Sequence, residues 1–229
     1  MRLAHAICLI IALFCAADAA RGADAKACAP PPDFADTPHP AMVATEKLVS
    51  HTEEILIARS IAMTSEAMNK PLNRAIHQSS SLPGVSGDFV LTKGPFGSPG
   101  SRRVVCLSDG GVVEEEVLER ENTATSSRFR YIVWNYHTPK AKPIAYGIGE
   151  FRSLQIDPSH TCVTWVYSFR LKDDVFPGNL GALGRSLFRV YFLDRDYAAM
   201  MRGVLSGYKR DAENQPAGGE KSIDQHGAQ

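Results

Sequence analysis

The polar and apolar positions change period three times along the chain. Residues 53–63 (EEILIARSIAM) are rich in β-branched side chains and predict a first strand. Thr64 and Ser65 offer a helix cap with Glu66 in the first turn, so short helices are predicted over residues 65–77, with a break at Pro71. Alternation then takes over, and strands are predicted over residues 89–93, 103–107, 112–118, 127–137, 145–156 and 162–171. The sequence Ser108-Asp109-Gly110-Gly111 carries an Asp-Gly hairpin signal that pairs the strands on either side of it. Asp157-Pro158-Ser159 makes the turn between the last two strands. The period lengthens again over residues 180–208, which predict one long helix. Leu183, Leu187, Val190, Tyr191, Tyr197, Ala198, Met201, Leu205 and Tyr208 recur there at spacings of three and four, with Asp194 interrupting the stripe. A long helix covering a curved antiparallel sheet of about seven strands is an α+β architecture.

The two ends read differently. Arg2 and His5 precede an apolar run from Ala6 to Ala17, too short to span a hydrocarbon core, which needs about 20 residues. Ala17-Asp18-Ala19 and Ala23-Asp24-Ala25 follow in an A-x-A pattern, so residues 1–25 are expected to be a secretory signal peptide. Export, to the periplasm in a bacterial setting, places the mature chain in an oxidising compartment. No later segment has 18 continuous apolar residues, and the mature chain is expected not to insert in a membrane. Five prolines within residues 29–40 make residues 26–47 a linker or an extended tail. Residues 213–229 are Gly-, Gln- and charge-rich and are expected to be a disordered tail. The folded body is then residues 48–212.

Composition adds exclusions. Lys plus Arg equals Asp plus Glu at 25 each, so bulk charge makes no case for nucleic acid. Cys28, Cys106 and Cys162 remain after the leader, which allows at most one internal bridge. Buried free thiols are the favoured reading, and Cys106–Cys162 is the natural candidate for a bridge. His51, His77, His137 and His160 fall on different elements without metal-ligand spacing, so no metal is expected. No G-x-S-x-G elbow is present, and no catalytic residue is assigned on that basis. Glu114, Glu115 and Glu116 read as a solvated acidic run, with an internal catalytic carboxylate as the alternative. Gly94-Pro95-Phe96-Gly97-Ser98-Pro99-Gly100 lacks the Gly-Lys-Ser/Thr ending of a phosphate loop and reads as a mobile connection.

Period two sorts the strand residues into faces. Val163, Trp165, Tyr167 and Phe169 share one face, as do Phe129, Tyr131, Val133 and Asn135. Between those strands, Tyr146, Ile148, Glu150, Arg152, Leu154 and Ile156 share another. If that face points inward, Glu150 and Arg152 form a buried, compensated pair able to hold a polar head group. If it points outward, both reach solvent. The aromatics are either a solid core or the lining of a cavity.

The order of strand, two short helices, six strands and a long C-terminal helix resembles the helix-grip fold of the START/birch-pollen-allergen superfamily. Local stretches that resemble its bacterial members are Gly100-Ser101-Arg102-Arg103, Ser108-Asp109-Gly110, Glu114-Glu115-Glu116-Val117, Phe129-Arg130-Tyr131, Thr161-Cys162-Val163-Thr164-Trp165, and Met200-Met201 with Leu205 and Lys209. The resemblance covers about residues 50–212. Met63-Thr64 departs from it, standing where many relatives have a proline, and residues 69–87 are less apolar than its two short helices require. The resemblance implies a deep cavity between sheet and helix, and a polyketide cyclase/dehydrase-like or lipid-transport type of protein. It also implies that the Gly-rich loop borders the cavity mouth, with Phe176-Pro177-Gly178-Asn179-Leu180 as the opposite lip. Read together, pattern and resemblance give an exported binding protein for a hydrophobic or amphipathic small molecule, with no cofactor. Its candidate ligand-binding residues are Tyr131, Tyr146, Glu150, Arg152, Trp165, Tyr167 and Phe169. The alternatives are a cyclase/dehydratase-type enzyme using a cavity carboxylate, with Glu150 first in line, and a packed interaction module without a ligand.

Overall fold

The computed structural model describes residues 28–29 and 31–215. The expected leader at 1–25 and all but the first residues of the expected tail lie outside the described residues. Seven strands form one antiparallel sheet: β1 (Val49–Ile57), β2 (Val85–Val90), β3 (Arg102–Leu107), β4 (Val112–Asn122), β5 (Ser126–His137), β6 (Ile144–Asp157) and β7 (His160–Leu171). Their spatial order is β1-β7-β6-β5-β4-β3-β2. Two short helices, α1 (Ile61–Met68) and α2 (Leu72–Ala75), join β1 to β2. The chain closes with α3 (Gly181–Phe188), a wider π-helical stretch (Arg189–Tyr197) and α4 (Ala198–Glu213).

The first apolar run divides between two elements. The strand ends at Ile57, and α1 begins at Ile61 rather than at Ser65. Ile61, Thr64 and Ala67 are buried at a spacing of three, so they serve a helix face rather than a strand. Pro71 stands just before α2 and makes the expected break.

The inner face of β7 alternates as the sequence indicates. Val163, Trp165, Tyr167, Phe169 and Leu171 are all buried against the helical layer. Their rings continue into those of neighbouring elements: Phe151 stacks on Trp165 at 4.5 Å, and Tyr167 meets Tyr197 at 4.8 Å. Burial of each such ring contributes on the order of 1.5–3 kcal/mol.

The expected helical stripe holds in its second half and fails in its first. Ala198, Met201, Leu205 and Tyr208 are buried, but Leu183, Val190 and Tyr191 are exposed. Gly184, Phe188 and Leu193 take the inward positions instead. The π-helical turn hydrogen-bonds one residue further along than an α-turn, which rotates the preceding residues out of a 3.6 register. The interval of five from Phe188 to Leu193 is its signature.

The outer face of the sheet is covered by the Pro-rich segment, laid along it in extended form. Phe34 packs on Val104, Cys106 and Val112. The Trp134 indole N–H donates to the Thr37 carbonyl at 3.2 Å. A disulfide joins Cys28 to Cys106, with their Cα atoms 5.6 Å apart. This excludes the candidate Cys106–Cys162 pairing and corrects the free-thiol reading for Cys28 and Cys106; Cys162 is a free thiol. The two cysteines sit on strands four spacings apart in the sheet, roughly 19 Å, beyond the reach of a disulfide.

Candidate functional site

The middle of β6 adds almost no side-chain bulk to the hollow between sheet and helices. Gly147 and Gly149 face inward there, paired with Phe169 and Tyr167, between the inward Ile144 and Phe151. A Cβ on Gly149 would meet the Tyr131 ring at 2.2 Å, and one on Gly147 would meet the Tyr167 ring at 2.7 Å. The rings of β5 and β7 therefore lie over β6. Space is left in front of β3 and β4, where the facing side chains are the smaller Val105 and Val113.

That space is a cavity of about 190 Å³. Its wall is almost wholly apolar, with Val133, Tyr131, Trp165, Tyr167 and Phe169 on the sheet side. Ile76, Phe192, Tyr197 and Met200 close the helical side. A second chamber of about 330 Å³ adjoins it and shares Leu72, Glu115 and Tyr131. The second chamber is more polar and is bordered by Phe96 and Gly97 of the Gly-rich loop. Together the two chambers fall in the range of small-molecule sites, about 300–1,000 Å³.

Glu115 stands where the chambers meet. Its carboxylate accepts from the Arg103 guanidinium at 3.0–3.2 Å; Glu115 is buried and Arg103 partly buried. Burial raises the Glu115 carboxyl above its ordinary value, against the pull of Arg103. The Tyr131, Tyr136 and Tyr197 hydroxyls are pushed well above the ordinary phenol range, first by burial and then by neighbouring groups. All three stay neutral. The Tyr136 hydroxyl and the Trp165 indole N–H are buried without an aligned hydrogen-bond partner, although Tyr167 and Tyr131 stand near them. An unmade hydrogen bond of this kind costs on the order of 1–3 kcal/mol and is recovered when an acceptor arrives.

The structure separates the seven sequence candidates. Tyr131, Trp165, Tyr167 and Phe169 line the apolar cavity. Tyr146, Glu150 and Arg152 lie on the opposite face of the sheet. Tyr146 is buried beneath the Pro-rich segment, where its hydroxyl accepts from the Val43 N–H at 2.8 Å. Glu150 accepts from Arg128 at 3.1 Å and from Arg152, with Arg130 at 3.7 Å. Burial opposes ionisation of Glu150, but the Arg128 and Arg152 guanidiniums outweigh it and lower its carboxyl below the ordinary value. The expectation that Glu150 and Arg152 could hold a head group inside is therefore corrected. The apolar parity of β6 belongs to its outer face, where Tyr146 and Ile148 are buried in a cluster with Ile132 and Trp134 and the Pro-rich segment reaches Tyr146.

The acidic run is likewise not a solvated surface. Glu114 is fully buried on the outer face, where it accepts from Arg102 and, at 2.6 Å, from the Asn135 amide. Asn135 has a left-handed backbone (φ 50°), which breaks the face predicted for it beside Val133. Glu115 and Arg103, missed as site residues, had a readable signal. The Asp-Gly hairpin places them directly opposite each other as a cross-strand pair. Among the described residues, no group of three or more His, Cys, Asp or Glu side chains is placed to hold a metal ion. No helix among them is long and apolar enough to cross a membrane.

No protein-family model matches the chain, and no curated protein matches it by sequence. Solved structures do match. The di-domain ARO/CYC BexL from the BE-7585A biosynthetic pathway aligns at 20% identity and TM-score 0.51, over 75% of this chain and 52% of that one. The di-domain ARO/CYC StfQ from the steffimycin pathway aligns at 14% identity and TM-score 0.51, over 74% and 52%. The chain thus spans about half the length of these two-domain proteins. A START superfamily protein from Mycobacterium smegmatis aligns at 12% identity and TM-score 0.43, over 72% and 94%. The antiparallel sheet curved around a closing C-terminal helix is the helix-grip fold, and what the chain shares with the two ARO/CYC structures is that fold.

Proposed function

We propose that this protein is an exported carrier that holds a lipid-like hydrophobic or amphipathic small molecule between its sheet and its C-terminal helix. The apolar cavity carries the reading: about 190 Å³ lined by aromatic and aliphatic side chains, with two buried donors left without an aligned partner. Moving a ligand's apolar surface from water into such a wall stabilises the complex by about 25 cal/mol per Å². Donors on Trp165 and Tyr136 would orient a polar atom of the ligand. Export is supported by the leader-like residues 1–25 and by the Cys28–Cys106 disulfide, a bond that persists in oxidising compartments.

The test is native mass spectrometry of the purified protein, followed by titration with a neutral apolar fluorophore. A co-purifying apolar species, or a saturable one-site titration, is the expected result. A chain of bare mass that binds no apolar probe would remove the proposal.

One observation favours a second reading. A buried carboxylate with a raised pKa at a cavity wall, here Glu115, is the group a cyclase/dehydratase-type enzyme would use for proton transfer. Its bidentate pairing with Arg103 favours holding charge over moving protons, so binding is the first reading. Turnover of a polyketide-like substrate that is lost in Glu115→Gln would reverse that order.

A further inference from the structure

We propose that the more polar chamber is a head-group site selective for an anion, with Arg120 as its recognising residue, so that the ligand is an anionic amphiphile. This rests on the carrier reading above and specifies the chemistry of the ligand.

A β-bulge in β4 sets which side chains reach the chamber. Along β4, Val113, Glu115 and Val117 face inward. Strict alternation would next bring Glu119 and Glu121 inside. The pairing with β5 slips between Val117 and Glu119, leaving Leu118 as the extra residue. After the slip Arg120 stands opposite Phe129 and Asn122 opposite Ser127, and all four line the chamber. Glu119 goes to the outer face, where it binds Arg128 and Arg130. One inserted residue thus exchanges two glutamates for an arginine and an amide at the cavity wall.

The charge balance of the chamber follows. Lys70, Arg103 and Arg120 border it, against the single carboxylate Glu115. Arg103 is matched by Glu115, and Lys70 is paired at 2.8 Å with Asp211, outside the chamber wall. Arg120 makes one long contact, to the Gly97 carbonyl at 3.4 Å, and its guanidinium lies 5.4 Å from the centre of the Phe129 ring. Among the described residues it has no carboxylate within ion-pair distance. It is a solvent-exposed cation beside an aromatic ring, at the edge of a hollow of about 330 Å³. The loop helps to keep it there. Gly97 has φ +135° and lies so close that a Cβ would come within 2.9 Å of the guanidinium. Phe96 covers Arg103 on the other side, with its ring 3.8 Å from that guanidinium.

The two chambers meet at Tyr131, Glu115 and Leu72. A chain laid from the apolar cavity past Tyr131 therefore ends beside Arg120. The buried Glu115 carboxylate at that junction disfavours a second negative charge further in. An anionic head is held at the outer chamber, and the neutral tail lies in the inner one.

Isothermal titration of the purified protein at neutral pH with decanoate, 1-decanol and decyltrimethylammonium tests this. Decanoate is expected to bind about tenfold tighter than decanol, and the ammonium compound weakest. In Arg120→Gln the decanoate-to-decanol ratio should collapse to within about twofold, while Arg120→Lys keeps most of it. Equal affinities for decanoate and decanol in the parent protein, or an undiminished ratio in Arg120→Gln, would overturn the head-group site and leave the carrier reading standing. No saturable binding of any of the three compounds would overturn both.

Discussion

Two glycines on β6 make room for the rings that lie over them. Gly149 lies directly under the Tyr131 ring, and any Cβ there forces that ring toward the cavity. Gly149→Ala is expected to cost about 1–3 kcal/mol, read as a lower melting temperature, because a packed ring must leave its place. An unchanged melting temperature would show that the ring has room the geometry denies it. On the opposite face, Glu150 is the hub of three arginines. Its carboxyl lies below the ordinary glutamate value in the folded chain. The stability it contributes is thus present above the unfolded value, about 4.3, and is lost as pH falls through the folded value. Glu150→Gln should therefore flatten the acid limb of a stability-against-pH curve. A parallel curve, merely shifted downward, would contradict this.

At the scale of elements, the Pro-rich segment and the sheet it covers behave as one unit. The Cys28–Cys106 bridge closes a long loop, with a sequence separation of 78, and its removal should cost about 2–4 kcal/mol. In the Cys28→Ser/Cys106→Ser double variant, limited proteolysis should cut within residues 28–47 first, and a melting temperature equal to the parent's would refute the coupling. This element also marks where the sequence stops being legible. Strand count, hairpin position, the Pro71 break and the inward aromatics of β5 and β7 are all readable, because period and turn chemistry are local. The facing of β6 is not. Its apolar parity (Tyr146, Ile148) is buried, but on the outer face, where Tyr146 meets a segment more than a hundred residues away in sequence through the Val43–Tyr146 contact, while its inner parity is small at Gly147 and Gly149, beneath neighbours' rings. The bulge at Leu118 and the π-turn after Phe188 each shift the register, and a fixed period carried across such a shift misplaces the side chains on one side of it. Glu115 and Arg120 were hidden by these two effects, burial of an acidic run and a one-residue slip.

For the whole molecule, the sheet and the C-terminal helix leave between them a hollow that the chain's own aromatics narrow without filling. An apolar guest that occupies it should stabilise the folded state in proportion to occupancy, by about 2.7 kcal/mol at a hundredfold excess over its Kd. The account's central claim is that this hollow, and no surface patch, holds the ligand. The most direct measurement is calorimetric titration of 1-decanol into the parent protein and into Val133→Phe, whose larger side chain would occupy the cavity that Val133 lines. Saturable binding at one site in the parent, lost in a variant that melts as a folded protein, is the expected result. Binding that survives unchanged in the folded variant, or none in the parent, would contradict the account.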